Sequence, residues 1–123
     1  MKEHLDFFGR LLWISSKAKL RHLYPSSPGE LGSGWEHTTL SSYYSELSDL
    51  ADQLIECCQG LHGLHEISIP EVECDQTAER MIIAFYSYVE VKREAFKESF
   101  LQNIIDEIQA LNAQTLYKLK YLK

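Results

Sequence analysis

The sequence predicts an all-α protein, an antiparallel four-helix bundle with a long connection between its second and third helices. Three observations favour this class. Apolar residues recur at helical spacing in four segments, a linker rich in proline, glycine and serine separates the first two, and almost no stretch alternates as a β-strand does. Because a chain of 123 residues with 45% hydrophobic composition can bury a core without disulfides, we expect one domain, residues 1–123.

The first helix is predicted from Glu3 to Leu23, and it ends before Pro25 because proline does not continue a helix. The linker that follows, residues 25–34, combines prolines, glycines and serines and suits a turn between antiparallel helices. The residues expected on the apolar face of the first helix are Phe7, Phe8, Leu11, Leu12, Ile14 and Ala18.

The second helix is predicted to start near Trp35 and to end near Gly60 or Gly63. Residues 65–74, which include Pro70, then form a crossover or a short irregular connection, in which a brief strand-like piece is also compatible with the sequence. At about 100° of rotation per residue, one narrow face of this helix is apolar. Its members are Leu40, Tyr44, Leu47, Ala51, Leu54, Cys58 and Leu61.

The third helix is expected to open between Asp75 and Thr77, because both residue types are good N-caps. It should continue to Ser99, which forms a capping box with Gln102 and starts the fourth helix. The expected buried residues of these two helices are Ala78, Ile82, Phe85, Val89, Phe96, Leu101, Ile104, Ile108, Leu111, Thr115 and Leu122.

Composition and charge disfavour several classes of partner. Eighteen acidic and twelve basic residues leave a formal net charge of -6, which disfavours nucleic acids and anionic membrane surfaces. No apolar run reaches the roughly 18 residues of a membrane span, and the N-terminal segment has no cleavable pattern. Three cysteines, of which Cys57 and Cys58 are adjacent, make no paired framework, so a cytoplasmic location is expected.

The second helix also carries metal-capable side chains outside its apolar face. Asp52 and Glu56 are four residues apart, so they share one side of the helix, and they point away from the subunit's own core. His37 lies at the edge of the apolar face. The positions between His37 and the acids carry small side chains that leave room for another helix, namely Ser41, Ser45 and Ser48.

Two histidines and two acids make a candidate ligand set for iron or a similar metal. His22 closes the first helix and His37 opens the second, so antiparallel packing brings both to one end of the bundle. Asp52 and Glu56 lie roughly 20 Å or more further along the axis. One subunit therefore cannot gather all four ligands, whereas two antiparallel second helices related by a two-fold axis could, in two equivalent sites.

The interval from His37 to Asp52 and Glu56 resembles that of the Dps-like branch of the ferritin superfamily, the mini-ferritins. The second helix is also similar at Tyr44, Glu46, Leu47 and Leu54, and the ending TLYKLKYLK resembles the close of the family's fourth helix. The longer ending NIIDEIQALNAQTLYKLKYLK resembles most of all that of small tailed-phage proteins of this type. The resemblance implies a ferritin-like bundle with a mono- or di-iron ferroxidase centre, in which zinc can substitute. His22 and His37 of one subunit would meet Asp52 and Glu56 of the next, within a homo-oligomer of at least two and up to twelve subunits.

The chain departs from the mini-ferritins in three ways. The interval between His22 and His37 is longer, which makes His22 the weaker fourth ligand. The Glu-x-x-His pairs of ordinary ferritins and the lysine-rich tail that many mini-ferritins use for DNA are both missing. A DNA-protecting role is therefore not expected.

The same residues also fit a non-catalytic bundle that acts by self-assembly. In that case Asp52 and Glu56 form a solvated helix face, and His22 interacts with the C-terminal end of the first helix. Such a protein would be a structural or accessory component of a phage, located in the virion or in the host cytoplasm.

A zinc site is a further alternative near the end of the second helix. Cys58 and His62 lie one helical turn apart, and His65 and Cys74 follow them. The spacing is not that of a recognised zinc finger, and Cys58 falls on the predicted apolar face.

Overall fold

The computed structural model describes residues 1–23, 33–72 and 77–122, and four α-helices lie in these ranges. They are α1 (Lys2–Leu23), α2 (Ser33–His62), α3 (Ala78–Lys92) and α4 (Ser99–Tyr121), with a single 3-10 turn, Arg93–Ala95, after α3. The same ranges contain no β-strand, so the predicted all-α four-helix class is confirmed. Most of the predicted linker, together with Cys74 and Asp75, lies outside the described residues.

Contacts between helix ends show that neighbouring helices run antiparallel. The ring of His22, at the end of α1, stacks on the ring of His37, at the start of α2. The indole nitrogen of Trp35 donates a hydrogen bond to the backbone carbonyl of Lys118 at 3.0 Å, which joins the start of α2 to the end of α4. No described helix is long and apolar enough to cross a membrane.

The core takes buried side chains from all four helices. Leu122 is an exception to the prediction. It is 42% exposed because α4 ends one residue before it, and Leu119 is buried in its place. The predicted start of α3 is confirmed, since the Thr77 hydroxyl accepts a hydrogen bond from the Arg80 amide at 3.2 Å. In α1, α3 and α4 the following predicted core positions are buried: Phe7, Phe8, Leu11, Ile14, Ala18, Ala78, Ile82, Phe85, Val89, Leu101, Ile104, Ile108, Leu111 and Thr115. Phe96 is buried between α3 and α4.

The apolar face of α2 differs from the prediction at two positions. Tyr43, not Tyr44, is fully buried, and Leu61 is 50% exposed in the last turn of the helix. The two tyrosines flank the centre of the apolar face on opposite sides, since neighbouring residues are about 100° apart on a helix. Tyr43 lies on the side that meets α4, whereas Tyr44 is half-buried beside the ring of His22. The other predicted members are buried, namely Leu40, Leu47, Ala51, Leu54 and Cys58.

A chain of hydrogen bonds starts in the core and joins α2, α4 and α3. The Tyr43 hydroxyl donates to Asn112 Oδ1 at 2.6 Å, and Asn112 Nδ2 donates to Gln109 Oε1 at 2.8 Å. Gln109 Nε2 in turn donates to Glu90 Oε1 at 2.9 Å and to the Tyr86 carbonyl at 3.0 Å. Burial raises the pKa of Tyr43, so its hydroxyl keeps the proton that it donates. These bonds fix the relative positions of three helices.

The corner between α3 and α4 corrects the predicted capping box. The N-cap of α4 is Glu98, without a side-chain cap, and Ser99 is already the first helical residue. Gln102 Nε2 donates instead to the carbonyls of Arg93 and Phe96, at 2.7 and 2.6 Å. These carbonyls lie where the chain leaves the helical hydrogen-bond pattern. The Arg93 carbonyl also accepts a bond from the Phe96 amide at 3.0 Å, and Gln102 adds donors to both carbonyls from inside the corner. The predicted continuation of α3 to Ser99 is also wrong, because α3 gives way to the 3-10 turn.

The connection after α2 lies against α1 without regular secondary structure through residue 72, as the crossover prediction requires. Gly9 in α1 is buried beneath it, and a Cβ atom at this position would overlap the Ser68 carbonyl oxygen and approach Pro70 Cδ to 3.3 Å. Ile67 and Val72 pack against the core. Glycine at this position therefore lets the connection approach α1 closely.

Replacing Tyr43 by Phe should lower the free energy of unfolding by about 1–3 kcal/mol, because it leaves the buried oxygen of Asn112 without a donor. Tyr44→Phe is the matched control, expected to change stability by less than about 0.5 kcal/mol because Tyr44 is half-buried. Urea unfolding followed by circular dichroism measures both variants. Equal losses would show that the hydrogen-bond chain does not stabilise the bundle.

Replacing Gly9 by Ala should destabilise the protein by about 1–3 kcal/mol, because the added methyl group forces the connection away from α1. The control is Gly60→Ala in α2, where the methyl group meets nothing within 4 Å. Because alanine favours a helix over glycine, this variant should gain about 0.5–1 kcal/mol. Thermal unfolding compares them, and a stabilised Gly9→Ala protein would contradict the described packing.

Candidate metal centre

His22 and His37 meet at one end of the bundle, as the antiparallel packing of α1 and α2 predicts. Their rings are stacked, with centroids 3.8 Å apart and planes inclined by 23°. The longer interval between them in the sequence does not separate them. His37 is exposed and His22 is half-buried, so the pair is open to solvent.

The two histidines are held by reciprocal hydrogen bonds to backbone carbonyls. His22 Nδ1 lies 2.8 Å from the His37 carbonyl oxygen, and His37 Nδ1 lies 2.8 Å from the His22 carbonyl oxygen. A carbonyl only accepts, so each Nδ1 carries the proton and each neutral ring keeps its lone pair on Nε2. This is the arrangement in which a backbone carbonyl orients a histidine that binds a metal.

The same bonds have a structural role. The His22 carbonyl belongs to the last turn of α1, where carbonyl groups lack a helical partner. His37 supplies that partner from the first turns of α2. The pair therefore fastens the two helix ends together whether or not a metal binds.

Tyr44 and Lys19 lie beside this pair. The Tyr44 ring contacts His22 edge to face, with centroids 5.4 Å apart, and Lys19 Nζ lies 5.9 Å from the centroid of the Tyr44 ring. An edge-to-face contact between aromatic rings is favourable, and it further restricts the ring of His22. The orientation of both imidazoles is thus fixed before any ligand arrives.

Asp52 and Glu56 are exposed on α2, as predicted, and at 1.5 Å per residue they lie roughly 20 to 30 Å along the helix from His37. In the part of the chain that the structure describes, no group of three or more histidines, cysteines or acids could hold a metal ion. One chain thus brings the two histidines together and keeps both acids apart from them. The predicted four-ligand set is not assembled within a single subunit.

The serines of α2 do not all face outward. The Ser48 hydroxyl lies 2.8 Å from that of Ser15, so Ser48 belongs to the contact between α1 and α2. Ser41 is half-buried, and Ser45 alone of the three is exposed. The expectation that all three serines leave room for a helix of another copy is wrong at Ser48, because that position lies on the side of α2 that faces α1.

Sequence reasoning missed a second histidine pair at the opposite end of the bundle. The rings of His4 and His62 are 5.6 Å apart, and His62 Nε2 lies 3.8 Å from Glu98 Oε1. They line a cleft of about 660 Å³. His4 Nε2 donates to the Ala95 carbonyl at 2.8 Å, which leaves the lone pair on Nδ1. The antiparallel order of α1 and α2 was the signal that could have placed these residues together.

The alternative zinc set is not assembled within the described residues. Cys58 is buried, and burial, with smaller contributions from Glu98 and Cys57, raises the pKa of its thiol to about 11. The thiol is therefore neutral at physiological pH, whereas zinc binds the thiolate. His65 is exposed and Cys74 lies outside the described residues.

The model of one protein family matches residues 35–119, which cover most of α2, all of α3 and nearly all of α4. The chain belongs to DUF5856, a family of unknown function. The matched range includes His37, Asp52 and Glu56, and it begins after His22. No curated protein and no solved structure matches the chain.

The hydrogen bonds predict opposite tautomers for the two ends of the bundle. Nitrogen-15 spectra of the neutral imidazoles should show the Nδ1–H form for His22 and His37 and the Nε2–H form for His4, which serves as the internal control. The measurement needs no metal. An Nε2–H tautomer at His22 or His37 would contradict the reciprocal bonds and would remove the lone pair that a metal needs.

Proposed function

We propose that the protein is a ferritin-like, metal-binding bundle that binds Fe(II) at sites shared between two copies and speeds its oxidation. The observation that carries the proposal is the reciprocal bonding of His22 and His37, which leaves two Nε2 lone pairs at one end of the bundle. Together with the exposed carboxylates of Asp52 and Glu56, they give the mixed imidazole and carboxylate donors that suit iron. Each copy would supply the two histidines of one site and the two acids of the other.

A second copy is needed because the acids lie far from the histidines on the same helix. Two α2 helices that cross antiparallel about a two-fold axis would place the acids of one copy opposite the histidines of the other. The position midway between His37 and the acids is close to Ser45, which would then lie near the axis. Ser45 is exposed and small, so it permits a close approach of the two helices.

In this proposal Fe(II) is the substrate, and each side chain has a distinct part. The Nε2 atoms of His22 and His37 donate lone pairs to the ion. The carboxylates of Asp52 and Glu56 favour Fe(III) over Fe(II), because the added positive charge gains more energy beside fixed negative charges. The electron passes to oxygen or peroxide. Binding should weaken as the pH falls, because protons compete with the metal for the imidazoles.

A second candidate function is assembly without catalysis, as in a phage structural or accessory protein. The observation that favours it is the fastening role of the histidine pair, which gives both residues a use in the absence of metal. In this alternative the exposed acids are solvated. Self-association remains, while metal binding at the four residues does not.

A complementation experiment tests whether the site is shared. A variant with His22→Ala and His37→Ala lacks one half of each site, and a variant with Asp52→Asn and Glu56→Gln lacks the other half. Each alone should lose stoichiometric Fe(II) binding, measured by anaerobic calorimetry. After the two are mixed and their subunits exchange at random, about one quarter of the wild-type sites should reappear, because only one site of each mixed dimer is complete.

The control is Glu66→Gln with Glu71→Gln, which removes the same charge from exposed positions on the connection. It should bind and oxidise Fe(II) as the wild type does, with oxidation followed by absorbance. Circular dichroism checks that every variant stays helical. Equal oxidation by the wild type and the two depleted variants would leave the assembly function, and binding that never recovers on mixing would exclude a shared site.

A further inference from the structure

Two grooves of different chemistry lie on opposite sides of α4. One, between α3 and α4, encloses about 310 Å³, and we call it the tyrosine-lysine groove. Lys120 is the charged residue of its described lining. Its members are Tyr86, Ala113, Leu116, Tyr117, Lys120 and Tyr121.

The aromatic rings of this groove are unusually open to solvent. Tyr117 is 55% exposed and Tyr121 is 72% exposed, and their ring centroids lie 5.7 Å apart in the last turns of α4. Lys118 and Lys120 are in the same turns. Clustered exposed aromatic side chains are typical of surfaces that contact another protein. A partner of acidic character would also neutralise the local positive charge.

The second groove, between α2 and α4, encloses about 380 Å³, and we call it the acidic groove. Leu50, Ala110 and Leu111 supply its apolar lining, with Gln114 beside them. Carboxylates are its charged groups, and lysine and arginine are absent from its described lining. The carboxylates are those of Glu46, Asp49 and Glu107.

We infer that the tyrosine-lysine groove of one copy docks against the acidic groove of a second copy of this chain. The last turns of α4 would place Tyr117 and Tyr121 over the apolar lining, while Lys120 approaches the carboxylates around it. Complementary charge of this kind selects the partner and its orientation. The chain therefore carries both halves of the contact on its own surface.

Charge also decides which grooves can meet. Two tyrosine-lysine grooves facing each other would bring lysine to lysine, and two acidic grooves would bring carboxylate to carboxylate. Each of these self-pairings is repulsive, so the contact joins unlike surfaces. Such a contact extends to a ring or a chain of subunits, or it closes as a two-fold dimer in which each groove of one copy meets the unlike groove of the other. The inference does not depend on the proposed metal site. Since Asp49 lies one helical turn from Ser45, the two contacts would compete for the same side of α2.

Charge reversal at each groove tests this contact. Lys120→Glu and Glu107→Lys should each weaken self-association about tenfold in sedimentation velocity at low salt, because like charges then meet. An equimolar mixture of the two variants should associate again. The tyrosine-lysine groove of the Lys120→Glu variant, now negative, fits the acidic groove of the Glu107→Lys variant, which has gained a positive charge. The two unaltered grooves of the mixture also still match. Lys97→Glu, at the opposite end of the bundle, is the matched control and should leave association unchanged.

Three results would overturn the inference. Single variants that associate as the wild type does would show that the grooves serve another partner or none. Stronger association of Lys120→Gln than of the wild type would indicate that two tyrosine-lysine grooves pair with each other, because the repulsion between their lysines is then removed. A mixture that fails to recover, while both variants keep the helical spectrum of the wild type, would show that the two reversed positions do not belong to one contact.

Discussion

The hydrogen bonds that begin at Tyr43 hold three of the four helices in register. If α4 slid along α2 by one turn, the Tyr43 hydroxyl and the Asn112 amide would both be buried without partners, at a cost of about 1–3 kcal/mol for each group. Apolar side chains penalise such a slide less, because they repack with modest losses. The polar residues in this core therefore specify one arrangement among several that burial alone would allow.

Both ends of the bundle depend on that register. The indole of Trp35 reaches the Lys118 carbonyl only if α2 and α4 are aligned as the Tyr43 chain aligns them. The start of α2 in turn carries His37, so its position against the end of α1 is set from the core outward. The candidate ligands are thus positioned by residues that have no metal-binding chemistry of their own.

Hydrophobic periodicity was sufficient to predict the four helices. The linker between the first two predicted their antiparallel order and, with it, the meeting of His22 with His37. Periodicity could not separate Tyr43 from Tyr44, because both border the apolar face and the deciding partner, Asn112, is remote in the sequence. The capping box failed for a similar reason. Ser99 and Gln102 match a local pattern, but Gln102 is used by the corner, whose carbonyls are not visible in the sequence.

The candidate site was likewise predictable from the sequence only in part. The residue types and their sides of the helix were readable from the sequence, and the exposure of Asp52 and Glu56 agrees with them. The reciprocal bonds of the histidines were not readable, because they join side chains to backbone atoms of another helix. A shared site also requires a second copy, and neither a sequence nor a single chain contains the geometry between copies.

The reciprocal bonds of His22 and His37 also affect the segment between these two residues. His22 and His37 hold the two ends of the interhelical linker together through their own contacts, so the length of the linker has little influence on where the helices meet. Since the entropy of closing a loop grows only slowly with its length, extra residues inserted between the two histidines would cost little stability. The interval therefore suits the insertion of a reporter peptide that leaves His22 and His37 in contact.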